Sequence, residues 1–106
     1  MQLEQLLEII KVADKRAIKA KLRKLGYINC KRHPILRHTS LVALANGRVE
    51  ETPDGVYYTD RHQKLGFDGR IITDVENYEK YRFVVVNVYD MKKERQIDMY
   101  VFAKEQ

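Results

Sequence analysis

The sequence predicts an α+β fold in which two N-terminal helices precede an antiparallel sheet of five or six strands. Apolar residues recur with a helical period in the first 25 positions, and apolar runs typical of strands dominate the second half. Turn signals at Asn46-Gly47 and Pro53-Asp54-Gly55 separate the first of these runs. The length of 106 residues fits a single domain, with a basic helical element over 1–38 and a β-rich part over 39–106.

Two short helices are predicted at 2–11 and 15–25. Their apolar stripes are Leu3, Leu6, Leu7 and Ile10 in the first, and Ile18, Leu22 and Leu25 in the second. One continuous helix over 2–25 is the alternative. At about 100° per residue the two stripes differ in phase by roughly 75–80°, so a break near Val12–Asp14 is needed to turn both toward one core. Asp14 is a suitable N-cap for the second helix, and Gly26 is a suitable residue to end it.

The remaining apolar runs predict strands connected by polar turns. They cover 41–45, 48–52, 56–60, 70–75, 82–90 and 97–103. We expect 41–45 and 48–52 to form a hairpin around Asn46-Gly47, and we expect 66–69 to be a loop because it contains two glycines. Residues 76–80 predict a short helical turn or loop. The strand at 82–90 is apolar on both faces, which is typical of a central strand.

The charge of the chain is concentrated near its N-terminus. The formal net charge is +5, but residues 1–38 hold 10 basic and 3 acidic residues, whereas 39–106 hold 10 basic and 12 acidic residues. Between 11 and 37 there are 10 basic residues and one acid. A face that serves only solubility more often mixes both signs, so this excess favours an anionic partner such as nucleic acid.

Residues 6–28 resemble the helix-turn-helix elements of DNA-binding proteins. Asp14 matches the polar cap, Ile18 and Leu22 match the buried positions, and Leu25-Gly26-Tyr27-Ile28 matches the exit from the recognition helix. The resemblance implies that the second helix faces DNA. The turn between the two helices lacks the usual glycine, since Lys11 and Val12 occupy that region.

The predicted nucleic-acid-binding residues divide into two groups. Residues near the start of the second helix can reach base edges in the major groove, and these are Lys15, Arg16 and Lys19. The second group is predicted to contact phosphates and comprises Lys11, Lys21, Arg23, Lys24, Lys31 and Arg32. Arg48, next to the Asn46-Gly47 turn, is expected to lie on a wing beside the helix.

Two weaker patterns suggest metal sites. Cys30, His33 and His38 have a spacing that zinc accepts, although no second cysteine supports it. Asp54, Asp90 and Lys92 faintly resemble the PD-(D/E)xK nucleases, in which the two acids hold Mg²⁺ and the lysine helps to activate water for phosphodiester cleavage. Both patterns also have ordinary explanations as loop and turn residues.

The sequence therefore predicts a small DNA-binding regulatory or accessory protein of phage or mobile-element origin, without a cofactor or an assigned catalytic residue. We expect DNA rather than RNA as partner. A protein-binding inhibitor or a small nuclease remains the alternative, since the final hairpin is similar to that of ribosome-dependent RNase toxins. A homodimer or a host protein partner is compatible with the β-rich part. No apolar run approaches the length of a membrane span, and the single cysteine and the N-terminus favour a cytoplasmic location.

Overall fold

In a computed structural model of the protein, two helices precede a six-stranded antiparallel sheet, which confirms the predicted α+β architecture. The structure describes residues 2–38, 44, 46–51 and 58–106. The elements in chain order are α1 (Leu3–Ile10), α2 (Lys15–Lys24), β1 (Ile28–Asn29), β2 (Arg48–Glu51), β3 (Tyr58–Thr59), β4 (Leu65–Thr73), β5 (Tyr81–Asp90) and β6 (Arg95–Glu105).

The helical segment is interrupted between α1 and α2, as the difference in phase between their apolar stripes predicts. Ala13 has a positive φ of 50°, and the Oδ1 atom of Asp14 accepts a hydrogen bond from the Ala17 N–H at 2.8 Å, so Asp14 is the N-cap of α2. At the other end, Gly26 has a φ of 92°, and its N–H donates to the Arg23 carbonyl. The Tyr27 N–H donates to the Leu22 carbonyl at 3.1 Å, which completes a Schellman motif. Local capping therefore fixes both ends of α2.

The sheet has the strand order β1-β6-β5-β4-β2, with β3 also paired to β4. The predicted central strand is confirmed, because β5 lies in the middle and pairs along almost its whole length with β4 and β6. β2 and β3 occupy successive parts of the outer edge of β4, and β1 covers only the end of β6. The strands at 48–52, 70–75 and 97–103 are also present, with somewhat different ends.

The prediction of a loop over 66–69 is wrong, since these residues lie inside β4. Gly69 is needed there because α1 crosses the strand closely. A Cβ atom at Gly69 would overlap the Cδ1 atom of Ile10 and would lie 3.1 Å from the Cδ2 atom of Leu6. The glycine therefore marks a close helix–strand approach rather than a turn.

The predicted hairpin around Asn46-Gly47 is also corrected. Leu44 lies in a helical turn, and its carbonyl accepts a hydrogen bond from the Gly47 N–H at 3.0 Å. β2 pairs with β4 instead of with 41–45. Its partners Ile71 and Ile72 lie more than 20 positions further along the chain. The rest of 41–45 and the Pro53-Asp54-Gly55 turn lie outside the described residues. Of the predicted strand 56–60, Tyr58–Thr59 forms β3, and 76–80 forms turns.

The sheet is buried on both sides, in two separate apolar clusters. On the helix face, α1 and α2 cover a cluster that includes Leu6, Ile10, Ile18, Leu22, Phe67, Ile71, Val84, Val86, Tyr100 and Phe102. The opposite face is partly covered by the segment that follows β1. Its cluster includes Cys30, Leu36, Leu44, Ile72, Val75, Tyr81, Phe83 and Val85. Alternate residues of β5 contribute to the two faces, as expected for a central strand.

Candidate nucleic-acid interface

α2 carries six cations and no acid in its ten residues. Ile18 and Leu22 are fully buried against the sheet, and this orientation determines where the cations point. Four of them lie on the solvent side and are exposed, namely Arg16, Lys21, Arg23 and Lys24. Lys15 and Lys19 lie beside the buried stripe and are only half-exposed. The solvent side of α2 is therefore a row of arginine and lysine side chains.

Lys15 and Lys19 lean toward β6 instead of pointing straight into solvent. The Nζ atom of Lys19 lies 4.0 Å from the centroid of the Tyr100 ring, within the range of a cation–π contact. This contact positions the ammonium group but also engages it within the fold. The contact with DNA base edges predicted for Lys15 and Lys19 stays a prediction. Both side chains are only half-exposed, and Lys19 also contacts Tyr100 of the sheet.

Among the described residues of the sheet, one carboxylate, Asp98, lies among these cations. Burial would raise its pKa, but hydrogen bonds from the Met99 N–H and the Tyr100 hydroxyl, together with the charges of Lys15 and Lys31, outweigh that effect, so the pKa is lowered. Burial and the Asp98 carboxylate raise the pKa of Tyr100 to about 12. Asp98 is therefore ionised at neutral pH and reduces the positive potential locally.

The turn after β1 extends the basic surface of α2. Lys31 and Arg32 are exposed in a 3-10 turn at Cys30–Arg32, in which the Asn29 Oδ1 atom accepts a hydrogen bond from the Lys31 N–H at 3.0 Å. β1 is the edge strand next to β6, and Lys31 acts on the same Asp98 as Lys15. We call α2 and Lys31 together the α2 basic surface; its cations are Lys15, Arg16, Lys19, Lys21, Arg23, Lys24 and Lys31.

Of the three remaining predicted residues, Arg32 lies beside Lys31 in the turn after β1, and Arg48 and Lys11 lie elsewhere. Arg48 starts β2, which is four strand spacings from β1, or about 19 Å at roughly 4.8 Å per spacing. Lys11 follows α1, and its Nζ atom lies 3.8 Å from a carboxylate oxygen of Glu8. The structure therefore does not bring Arg48 next to α2, and the expected wing is not formed by the described residues.

Within the described ranges, no carboxylate oxygen lies within 4.0 Å of a cationic nitrogen of α2. Because isolated surface helices usually gain stability from pairs of opposite charge, six cations without a close counter-ion repel one another. An anion that neutralises several of them at once would relieve this repulsion.

An open cleft lies beside the start of α2. Its volume is about 580 Å³, and it separates the α1–α2 turn from the turn between β3 and β4. The lining residues are Val12, Ala13, Asp14, Lys15, Arg16, Asp60, Arg61, His62, Leu65 and Phe67. This cleft was not predicted from the sequence, because the two turns are about 45 residues apart along the chain.

The residues of the two suggested metal sites have structural roles. The Cys30 thiol is buried in the cluster on the opposite face, and burial raises its pKa to about 11. The Nδ1 atom of His33 accepts hydrogen bonds from the Ile35 and Leu36 N–H groups. The His38 side chain lies outside the described part of the structure, and the described residues contain no group of three or more metal-ligating side chains.

Asp90 caps the turn between β5 and β6. Its Oδ1 atom accepts hydrogen bonds from the Lys92 and Lys93 N–H groups at 3.0 and 2.9 Å. The bond from Lys93 is the largest of the effects that lower the Asp90 pKa. Asp54 lies outside the described residues, so the nuclease pattern as a whole stays a prediction.

Sequence reasoning missed a buried polar cluster on the opposite face. The Asp68 carboxylate accepts hydrogen bonds from the Asn87 amide at 2.8 Å and the Tyr89 hydroxyl at 2.6 Å. Asp68 and Asn87 are 9% and 3% exposed, and the Gln96 amide donates to Asn87 at 3.2 Å. The sequence feature that could have indicated this cluster is one polar residue within each of two apolar strands. Asp68 and Asn87 are these residues, and they pair across the sheet.

Comparisons of the chain with protein-family models, with curated proteins and with solved structures found no match. In the ranges that the structure describes, no helix is both long enough and apolar enough to cross a membrane. The function is therefore inferred from the geometry and charge of the chain's own residues.

Proposed function

We propose that this protein binds DNA through the α2 basic surface and acts as a small regulatory or accessory protein. The observation that carries the proposal is a helix with six cations, no acid and no carboxylate within ion-pair distance among the described residues. DNA presents a regular row of phosphates that such a surface can neutralise together, with the release of bound counter-ions.

The packing of α2 supports this assignment. The helix is held from behind by Ile18 and Leu22, and both of its ends are capped, so its solvent side is rigid before any partner binds. Ala20 lies in the middle of that side, between Arg16, Arg23 and Lys24. A small residue surrounded by long cations allows the helix backbone to approach a groove while the cations reach the phosphates on either side.

The proposal is tested by removing two charges from the solvent side of α2. We expect Arg16→Gln/Arg23→Gln to weaken binding of a labelled DNA duplex about tenfold at low salt, measured by fluorescence anisotropy. The slope of log affinity against log salt should become shallower by about 1.8, since each of the two lost phosphate contacts contributes roughly 0.9 to it. Both arginines are exposed, so the fold should tolerate the change.

A matched control removes two charges elsewhere. Arg48→Gln/Lys80→Gln gives the same net charge, but these exposed side chains lie outside the α2 basic surface. Asp98→Asn should act in the opposite direction and strengthen binding about threefold, because it removes the one carboxylate among the cations. If the control weakens binding as much as the α2 variant, the attraction is non-local and the proposed interface is wrong.

A further inference from the structure

The cleft beside α2 combines an apolar floor with a basic rim. Val12 is 42% exposed and lies with Leu65 and Phe67 on the floor. Lys15 and Arg16 form the rim on the α2 side, and Arg61 and His62 form it on the side of the β3–β4 turn. An exposed valine within a concave, partly apolar surface is a place where a flat apolar group can be desolvated.

The two acids in the cleft are engaged by the backbone. Asp14 accepts a hydrogen bond from the Ala17 N–H, and Asp60 accepts one from the Lys64 N–H, both at 2.8 Å. Asp14 satisfies one of the free N–H groups at the start of α2, that of Ala17. The positive charge that can attract an anion to the cleft comes from the side chains of Lys15, Arg16 and Arg61.

Arg61 and His62 are held as a pair. The Nε atom of Arg61 donates to the Nε2 atom of His62 at 3.2 Å, and both side chains are exposed. A guanidinium plane and an imidazole ring both stack on nucleobases. The rim of the cleft therefore offers charge for a phosphate and planar groups for a base.

We infer that the cleft binds one unpaired nucleotide of a single-stranded nucleic acid. The base lies on Val12 between the apolar floor and the Arg61–His62 pair, and its phosphate lies between Arg16 and Arg61. The volume of about 580 Å³ is within the range of roughly 300–1,000 Å³ typical of small-ligand sites. A duplex keeps its bases stacked inside and cannot place one in the cleft. This inference rests on the proposed function, because Arg16 belongs to both surfaces.

The test compares a labelled single strand with the corresponding duplex by fluorescence anisotropy. We expect Arg61→Ala/His62→Ala to weaken single-strand binding at least fivefold and to change duplex binding by less than twofold. Lys92→Ala/Lys93→Ala removes two exposed cations from the adjacent β5–β6 turn and should affect neither ligand more than twofold. Equal losses for strand and duplex in the Arg61/His62 variant would overturn the inference and leave the proposed function standing.

A second measurement tests nucleotide binding to the cleft without a nucleic-acid polymer. Adenosine 5′-monophosphate titrated into the ¹⁵N-labelled protein should shift the amide resonances of residues 12–16 and 60–65, and inorganic phosphate at the same concentration should shift them less. The absence of nucleotide-dependent shifts in these two turns would overturn the inference. If the protein binds neither polymer, the proposed function fails, and the nucleotide titration by itself still supports or overturns the cleft as a nucleotide site.

Discussion

The two faces of the sheet differ in the polarity of the side chains that they bury. On the helix face every described residue of the central cluster is apolar or a tyrosine, and the charged side chains of α2 are displaced to the rim or to solvent. On the opposite face a carboxylate, Asp68, is 9% exposed and is held by two side-chain donors. The described cations of α2 therefore lie outside the helix-face cluster, whereas the opposite face holds a nearly buried acid.

Adjacent residues of β4 allow the two faces to be tested separately. Asp68 points to the opposite face and Gly69 to the helix face, because successive side chains of a strand alternate. A change at one of them therefore perturbs one face and leaves the packing of the other in place.

The largest expected effect is at Asp68. Asp68→Ala leaves the buried Asn87 amide and the Tyr89 hydroxyl without their acceptor, and we expect a loss of about 3 kcal/mol in the free energy of unfolding. Asp68→Asn keeps an acceptor oxygen and should cost about half as much. Urea denaturation measures both. Equal stability of Asp68→Ala and the wild type would mean that the polar cluster contributes nothing to the fold.

Gly69→Ala should have the next largest effect, on the helix face. The added methyl group overlaps Ile10, so α1 must move away from β4, and we expect a loss of about 2 kcal/mol. The double variant Gly69→Ala/Ile10→Val removes the Cδ1 atom that clashes. Its stability should exceed the value expected if the two single effects were additive. Strict additivity would show that α1 does not press on Gly69 as described.

The smallest effect concerns the Cys30 thiol on the opposite face. Burial raises its pKa to about 11 from the model-compound value of 9.0, so the neutral thiol contributes stability that is fully present below pH 9 and is lost as the pH rises through about 11. Cys30→Ala lacks this group. The destabilisation caused by Cys30→Ala at pH 8 should therefore shrink by about 1–2 kcal/mol at pH 11.

The same pH series on Tyr100→Phe provides the comparison with the helix face. Burial and Asp98 raise the Tyr100 pKa to about 12 from 10.0, so its contribution is fully present below pH 10 and is only partly lost at pH 11, where more of the Cys30 contribution has been lost. A constant effect of Cys30→Ala from pH 8 to pH 11 would contradict the burial of the thiol.

Much of the fold was predictable because its signals are local. The break at Ala13, the Asp14 cap and the Gly26 exit each depend on a few neighbouring residues, and all three were read correctly. The central position of β5 followed from apolar residues on both of its faces. The error at 66–69 arose because glycine was interpreted as a turn signal at Gly69, where it accommodates a packed helix.

The candidate sites were predictable only in part. The excess of cations between 11 and 37 identified the α2 basic surface, since charge can be counted along the chain. The position of Asp98 among those cations was not visible, because β6 is about 80 residues from α2 in sequence. The cleft at Arg61 and His62 was missed for the same reason.

The sequence by itself determined the two capped helices, the basic character of α2 and the central strand, because helix caps, periodicity and charge are encoded within a few turns of chain. Only the tertiary structure decided which cations face solvent and which lean on Tyr100, and which distant turns meet at the cleft. It also decided that Asp68 and Asn87 lie opposite each other. The physical reason is that strand register and helix docking depend on long-range packing, which no single segment specifies.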